Sequence, residues 1–314
     1  MRLVFFGTPP FAATCLEALI EGPHELAAAV TRPSKPRGRG QKLKEPAVAE
    51  LAKTHGIEVL APRSPKEEDF TDEIGALAPD LCVVVAYGRI LPAEILKLPS
   101  LGCINAHASL LPALRGAAPI ERAILEGVEE TGVTIMKMNE RMDAGDILAS
   151  RPLRIEKGQN AGELREALAP LAAALLTRAV DDIAALIAAA RPQDESLATY
   201  APPLRAEERK IDWEADALAI ERRVRAFAPR PGAFTFDGEG RVKVLRARVA
   251  ESSEGAGTPG TVSPGSAGSI VVACGSGQLE VQRLQPAGRR EMQASAYLHG
   301  RGGAARQRFH DQGS

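Results

Sequence analysis

The first 190 residues repeat one pattern: a short run of large aliphatic residues, a turn, then a stretch with helical spacing. The runs are RLVFF (2–6), ELAAAV (25–30), IEVLA (57–61), LCVVVAY (81–87) and LGCINAH (101–107). A helical stretch ends near Glu21, and others lie near 46–55, 65–77 and 91–97. The runs are apolar almost without a break, so both faces of each strand must be covered. Helices between the strands supply that cover, which predicts an α/β fold on a parallel, doubly wound sheet.

The pattern then changes. TGVTIMKMNERMDAGDILASRPLRI (131–155) places two alternating runs about a polar, glycine-containing turn, the pattern of an antiparallel hairpin. One or two long helices over 160–190 close a first domain spanning 1–190. Prolines and polar residues over 191–205 read as a linker. Beyond it, a short amphipathic helix sets Ala217, Ile220, Val224 and Phe227 on one stripe. GAFTFD, RVKVLRARV, SIVVAC and LEVQRLQ follow at close spacing and predict a smaller β-barrel domain over 206–314.

A net charge of −1 gives the whole chain no electrostatic case for nucleic acid, but the distribution is uneven. From Arg205 onward there are 17 Lys and Arg against 13 Asp and Glu, whereas residues 1–204 carry 22 against 27. Within that acidic part, RPSKPRGRGQKLK (32–44) holds six basic residues and no acid. Most such runs are solvated loops. Phosphate backbones also require them.

Cys15, Cys82, Cys103 and Cys274 are irregularly spaced among apolar neighbours and read as reduced core residues. The five histidines form no metal-binding spacing, so no metal is expected. No run approaches the roughly 18 apolar residues of a membrane helix. MRLVFFGTPPF reaches its turn too early for the apolar core of a signal peptide. A cytoplasmic protein with no membrane partner is expected.

Ligands of an open parallel sheet bind beyond the carboxyl ends of its strands. GTPPF, YGRILP and NAHASLLP fall at such ends, and none is a dinucleotide or P-loop motif. Asn105 and His107 alternate and share a face of their strand. An amide and an imidazole together can donate to a developing oxyanion. Ser109 follows, but there is no G-x-S-x-G elbow and no evident base, so it reads as a positioning residue rather than a nucleophile. An acidic partner can come from Asp143 or Asp146 in ERMDAGDIL, although turn aspartates commonly bond their own backbone. Spacing alone supports an acyl- or group-transfer enzyme.

INAHASLLPALRGAAPI (104–120), followed by TGVTIMKMNERMDAGDIL (131–148), resembles the signature of the folate-dependent formyltransferases. RLVFFGTPPFA, the basic run, VVVAYGRILP (83–92), KIDW (210–213) and RAFAPRPGAFT (225–235) are similar to the branch acting on initiator tRNA. The resemblance runs from about residue 2 to about residue 290. It implies a Rossmann-like catalytic domain and an OB-like barrel that helps to hold tRNA. The implied reaction moves the formyl group of 10-formyltetrahydrofolate to the α-amine of methionyl-initiator tRNA, for translation initiation. Asn105, His107 and Asp143 match the family's catalytic trio. Ser109, Leu110, Leu111 and Pro112 match its folate-binding segment, with Tyr87, Gly88, Ile90 and Leu91 forming another wall.

No metal and no covalent intermediate are implied. In the basic run, Arg37, Arg39, Lys42 and Lys44 are expected to meet the tRNA acceptor end, and the chain is expected to be a monomer. Four positions depart from the family pattern: Pro10 replaces an acidic residue, Ala113 a basic one, and Leu114 and Arg230 each a tryptophan. The alternatives are another 10-formyltetrahydrofolate-dependent formyltransferase or hydrolase, or a tRNA-binding protein without activity.

Overall fold

The computed structural model describes residues 1–37, 42–251, 257–300 and 308–310, with the backbone alone at 35–37, 42, 43 and 68. The contacts divide the chain into two units. The first comprises residues 1–119, 130–154 and 165–202, and the second 120–129, 155–164 and 203–314.

The first unit opens with β1 (Arg2–Gly7), α1 (Pro10–Ile20) and β2 (Glu25–Val30). A short antiparallel hairpin follows, β3 (Lys35–Arg37) with β4 (Lys42–Lys44), then α2 (Ala47–Thr54), β5 (Glu58–Leu60) and α3 (Glu68–Ala76). Next come β6 (Leu81–Val85), α4 (Ala93–Lys97) and β7 (Cys103–His107). After α5 (Pro119–Glu126) the chain forms the hairpin β8 (Glu130–Lys137) and β9 (Ile147–Arg154), then α6 (Ala161–Asp181) and α7 (Ile183–Ala188).

Seven strands form one sheet in the order β5-β2-β1-β6-β7-β8-β9. The first five run parallel, and β8 and β9 join antiparallel. All five residues of β6 are buried, as an inner strand with two covered faces requires. Val4, Phe6, Val30, Val84, Phe70, Ile74 and Ile95 make one side of the core. Each such side chain contributes about 1.5–3 kcal/mol by burial. The strand order reverses between β1 and β6, which opens a crevice at their carboxyl ends.

The basic run is thus not a plain loop: Lys35 lies opposite Lys44, and Arg37 opposite Lys42. Residues 191–202, which composition reads as linker, cluster with the first unit. Arg191 and Ile147 exchange backbone hydrogen bonds of 2.8 and 3.0 Å, and Ala201 N–H donates to the Arg115 carbonyl at 2.7 Å.

In the second unit, α8 (Ala217–Phe227) is capped by the Asp216 carboxylate, which accepts from Leu218 N–H at 2.8 Å. It buries Ala217, Ile220, Val224 and Phe227, the stripe its spacing predicts. The strands are β10 (Ala233–Phe236), β11 (Arg241–Val249), β12 (Val262–Pro264), β13 (Ile270–Ala273), β14 (Gln278–Pro286) and β15 (Met292–Gln293), followed by α9 (Ala294–His299). Their antiparallel sheet has the order β10-β11-β14-β13-β12, with β15 beside β14.

A late segment joins the two ends of that order. Arg308 bridges Thr261, beside β12, and His310 bridges Phe236 of β10. Between them Phe309 is buried and stacks on Trp213 with ring centroids 5.7 Å apart. The Trp213 indole donates to Thr235 Oγ1 at 2.9 Å, and that hydroxyl donates to the His310 carbonyl at 2.8 Å. KIDW and residues 308–310 therefore hold β10 together.

Candidate active site

Asn105 and His107 project from the carboxyl end of β7, where β6 flanks one side and β8 the other. Beyond His107 the chain folds back. Ser109 Oγ donates to the Ala113 carbonyl at 2.6 Å. Thr134 Oγ1 donates to the Ser109 carbonyl at 2.8 Å and accepts from Leu111 N–H at 3.0 Å, which pins the turn to β8. Leu114 ends the turn in a left-handed conformation, φ +60°.

That geometry sets the histidine. His107 Nε2 lies 3.0 Å from the Leu114 carbonyl, which can only accept, so Nε2 carries the proton of the neutral ring. Nδ1 is left open. It faces Asp143 Oδ2 at 3.7 Å, too long for a hydrogen bond, so the carboxylate favours the ring through charge only when Nδ1 takes up a proton.

Asp143 is fixed in turn. Its backbone is left-handed, φ +49°, and its Oδ2 accepts from Gly116 N–H at 2.8 Å. Gly116 has φ +127°, and a Cβ there would come within 2.6 Å of the Ala201 carbonyl oxygen. Asp146 is exposed, and among the described residues its one hydrogen bond is from Lys137 N–H to its carbonyl at 2.9 Å. Of the two aspartates, the fold brings Asp143 to the histidine. The Asn105 amide makes no hydrogen bond among the described residues, which leaves a free donor beside His107.

The second segment expected at the folate site runs from the end of β6. Tyr87 is buried, meets Phe6 edge-on at 5.5 Å and shares a core with Leu91. Its hydroxyl finds no partner among the described residues, and burial pushes its pKa up. Gly88 has φ +76° and lies against the Arg32 guanidinium. Ile90 is 72% exposed. Leu110 is half-buried against Gly132, where a Cβ would come within 2.7 Å of it, and Leu111 is buried beside the partly exposed Pro112. Among the tRNA candidates, Lys44 is exposed, Arg37 and Lys42 face one another in register, and Arg39 lies outside the described residues.

A formyl transferase family model matches residues 1–180, and the model of the formyl transferase C-terminal domain matches residues 203–302. A methionyl-tRNA formyltransferase from Moorella thermoacetica is 47% identical over 300 residues, covering 96% of each chain. One from Thiobacillus denitrificans is 46% identical over 301 residues, covering 96% of this chain and 97% of its own. The chain belongs to the methionyl-tRNA formyltransferase family. Solved structures of lower identity share the fold of this formyltransferase. HypX from Aquifex aeolicus gives a TM-score of 0.66 at 21% identity, over 96% of this chain and 47% of HypX. The sugar 3N-formyl transferase WlaRD gives 0.65 at 16% identity, over 92% of this chain and 99% of its own.

Some residues that support this candidate site were not legible in the sequence. Arg115, 1% exposed, donates to Gln193 Oε1 and to Glu195. Thr199 Oγ1 accepts from Leu114 N–H at 2.9 Å, behind the carbonyl that holds His107. The hydrogen bond from Arg115 is the main cause that lowers the Glu195 pKa. All three partners lie in the stretch read as linker. The available signal was that RPQDESLATYAPP contains no glycine, unlike a flexible tether. Of the departures, Leu114 is buried in its strained position, Pro10 occupies the first turn of α1, and Arg230 is exposed. Among the described residues, no group of three or more His, Cys, Asp or Glu is placed to hold a metal, and no helix is long and apolar enough to cross a membrane.

Proposed function

We infer that the protein transfers the formyl group of 10-formyltetrahydrofolate to the α-amine of methionyl-initiator tRNA, which yields N-formylmethionyl-tRNA. Its relatives are methionyl-tRNA formyltransferases. The observation that carries the chemistry is the free Asn105 amide beside a histidine whose open nitrogen faces Asp143. The amine nitrogen attacks the formyl carbon, and the carbonyl oxygen gains negative charge. Asn105 donates to that oxygen, as an oxyanion hole does. The nitrogen becomes cationic and must lose a proton. His107 Nδ1 takes it, because Nε2 is held by Leu114, and the resulting imidazolium faces the Asp143 carboxylate, which stabilises its charge. The bond from carbon to N10 then breaks, the His107 imidazolium passes that proton to N10 and returns to its neutral form, and the formamide is released. None of these steps requires a covalent bond to the enzyme.

Two stretches suit the folate: the 109–113 turn, with half-buried Leu110, and residues 87–91, with exposed Ile90 and the unpartnered Tyr87 hydroxyl. For tRNA, Arg37, Arg39, Lys42 and Lys44 supply charge on or next to the β3–β4 hairpin. In the second unit, the guanidinium groups of Arg209 and Arg241 lie over the Phe234 ring at 5.5 and 5.2 Å. Burial, then the charges of Arg209, Arg241 and Arg230, push the Lys243 amine down. Such a concentration of cations suits a phosphate backbone.

The test gives the purified protein 10-formyltetrahydrofolate with either methionyl-tRNA or glycinamide ribonucleotide. Formylation of methionyl-tRNA alone is expected. Formylation of the ribonucleotide without the tRNA product would overturn the assignment.

A further inference from the structure

The loop between β8 and β9 is exposed where it approaches Asp143: Glu140, Arg141 and Met142 all face solvent. Asp143 is nevertheless held with its carboxylate turned inward, and Gly116 N–H accounts for only one of the contacts that hold it. Gln193 holds the backbone there. Its Nε2 donates to the carbonyls of Asp143 at 2.8 Å and Gly145 at 2.7 Å. Its Oε1 accepts from Arg115 Nε at 3.0 Å and Nη2 at 2.8 Å.

A primary carboxamide has two N–H donors and two lone pairs, and all four are engaged here. Its orientation follows from chemistry. Reversed, the oxygen would face two carbonyls and the amide N–H groups would face a guanidinium. The anchor beneath it is firm, because Arg115 is 1% exposed and its side chain also contacts Glu195 and Tyr200. Glu195 also accepts from Arg141 in the same loop, so the circuit returns to the segment that it holds.

We propose that Gln193 is a positioning residue for the transfer reaction: by holding the backbone at Asp143 and Gly145 on buried Arg115, it aims the Asp143 carboxylate at His107. The proposal rests on the role given to Asp143 above. Glutamate cannot do this, because it would set a carboxylate oxygen against two carbonyls. Asparagine is one methylene too short to span Arg115 and both acceptors.

The experiment is a double-mutant cycle. Gln193→Met keeps the length and loses every donor, and it is measured in the natural background and with Asp143→Asn, as kcat and as KM for each substrate. A geometric fault at the reacting groups should lower kcat at least about tenfold in the natural background, with both KM values within about twofold. With Asp143→Asn already present, Gln193→Met should cause no further fall, because the group it positions is gone. An equal fall in both backgrounds, or an unchanged kcat in the natural one, overturns the proposal. If Asp143→Asn alone keeps full activity, the site assignment fails and the proposal falls with it. Should Gln193→Met not fold, Gln193→Asn enters the same cycle and is judged by the same outcomes.

Discussion

Asp143 adopts a left-handed backbone, a conformation that costs a non-glycine residue about 1–2 kcal/mol. The hydrogen bonds from Gly116 and Gln193, at roughly 1 kcal/mol each, offset that cost. The outcome is a carboxylate facing His107, whereas Asp146, three residues on, stays in solvent. Asp143→Asn keeps the acceptor for Gly116 but removes the charge, and should lower kcat roughly 100-fold or more. Asp146→Asn should remain within about twofold of the natural protein. Single-turnover formylation of methionyl-tRNA measures both. Glu195 gives a pH signature. Its folded pKa is lowered, chiefly by the hydrogen bond from Arg115, so its stabilising contribution is complete above the unfolded glutamate value of about 4.3 and is lost as pH falls through the lower folded value. The side chain is half-exposed, so the contribution is small. The small advantage in Tm over Glu195→Gln should hold at neutral pH and vanish in acid. An advantage that persists under strongly acidic conditions would remove Glu195 from the circuit.

At the scale of elements, β7 was readable because a strand obeys a period of two, which sets Asn105 and His107 side by side from spacing alone. The β8–β9 hairpin was readable for the same reason, since alternating runs flank a glycine-containing turn. The choice between Asp143 and Asp146 was not legible in spacing, and only the family resemblance named Asp143, whose inward turn rests on a left-handed backbone and a contact from Gly116. Nor was the place of residues 191–202, whose bonds to Leu114, Arg115 and Ile147 join parts of the chain far apart in sequence. Composition reports how a segment behaves alone, not what it docks against. Arg241 of β11 and Arg209, from the segment before α8, lie over Phe234 of β10 and form a patch that the net charge conceals. Arg241→Ala should weaken tRNA binding and lessen its salt dependence, by roughly one counterion in a plot of log affinity against log salt. An unaltered slope would show that the patch does not touch phosphate.

At the scale of the molecule, the second unit depends on residues distant from its strands. Phe309 is 2% exposed between Trp213 and Tyr297, and Phe309→Ala should destabilise that unit by about 3–5 kcal/mol, measured by denaturant unfolding. An equal midpoint for both proteins would mean that the closure contributes nothing. The same segment has a second effect, on encounters between molecules. An open antiparallel sheet ends in rows of unpaired N–H and C=O groups, and these recruit strands from other copies. Phe236 of β10 already exchanges hydrogen bonds with His310, and the Gly260 carbonyl, near β12, accepts from Phe309 N–H. The segment is thus a stopper as well as a brace: it occupies the ladder positions through which one barrel would otherwise stitch itself to the next.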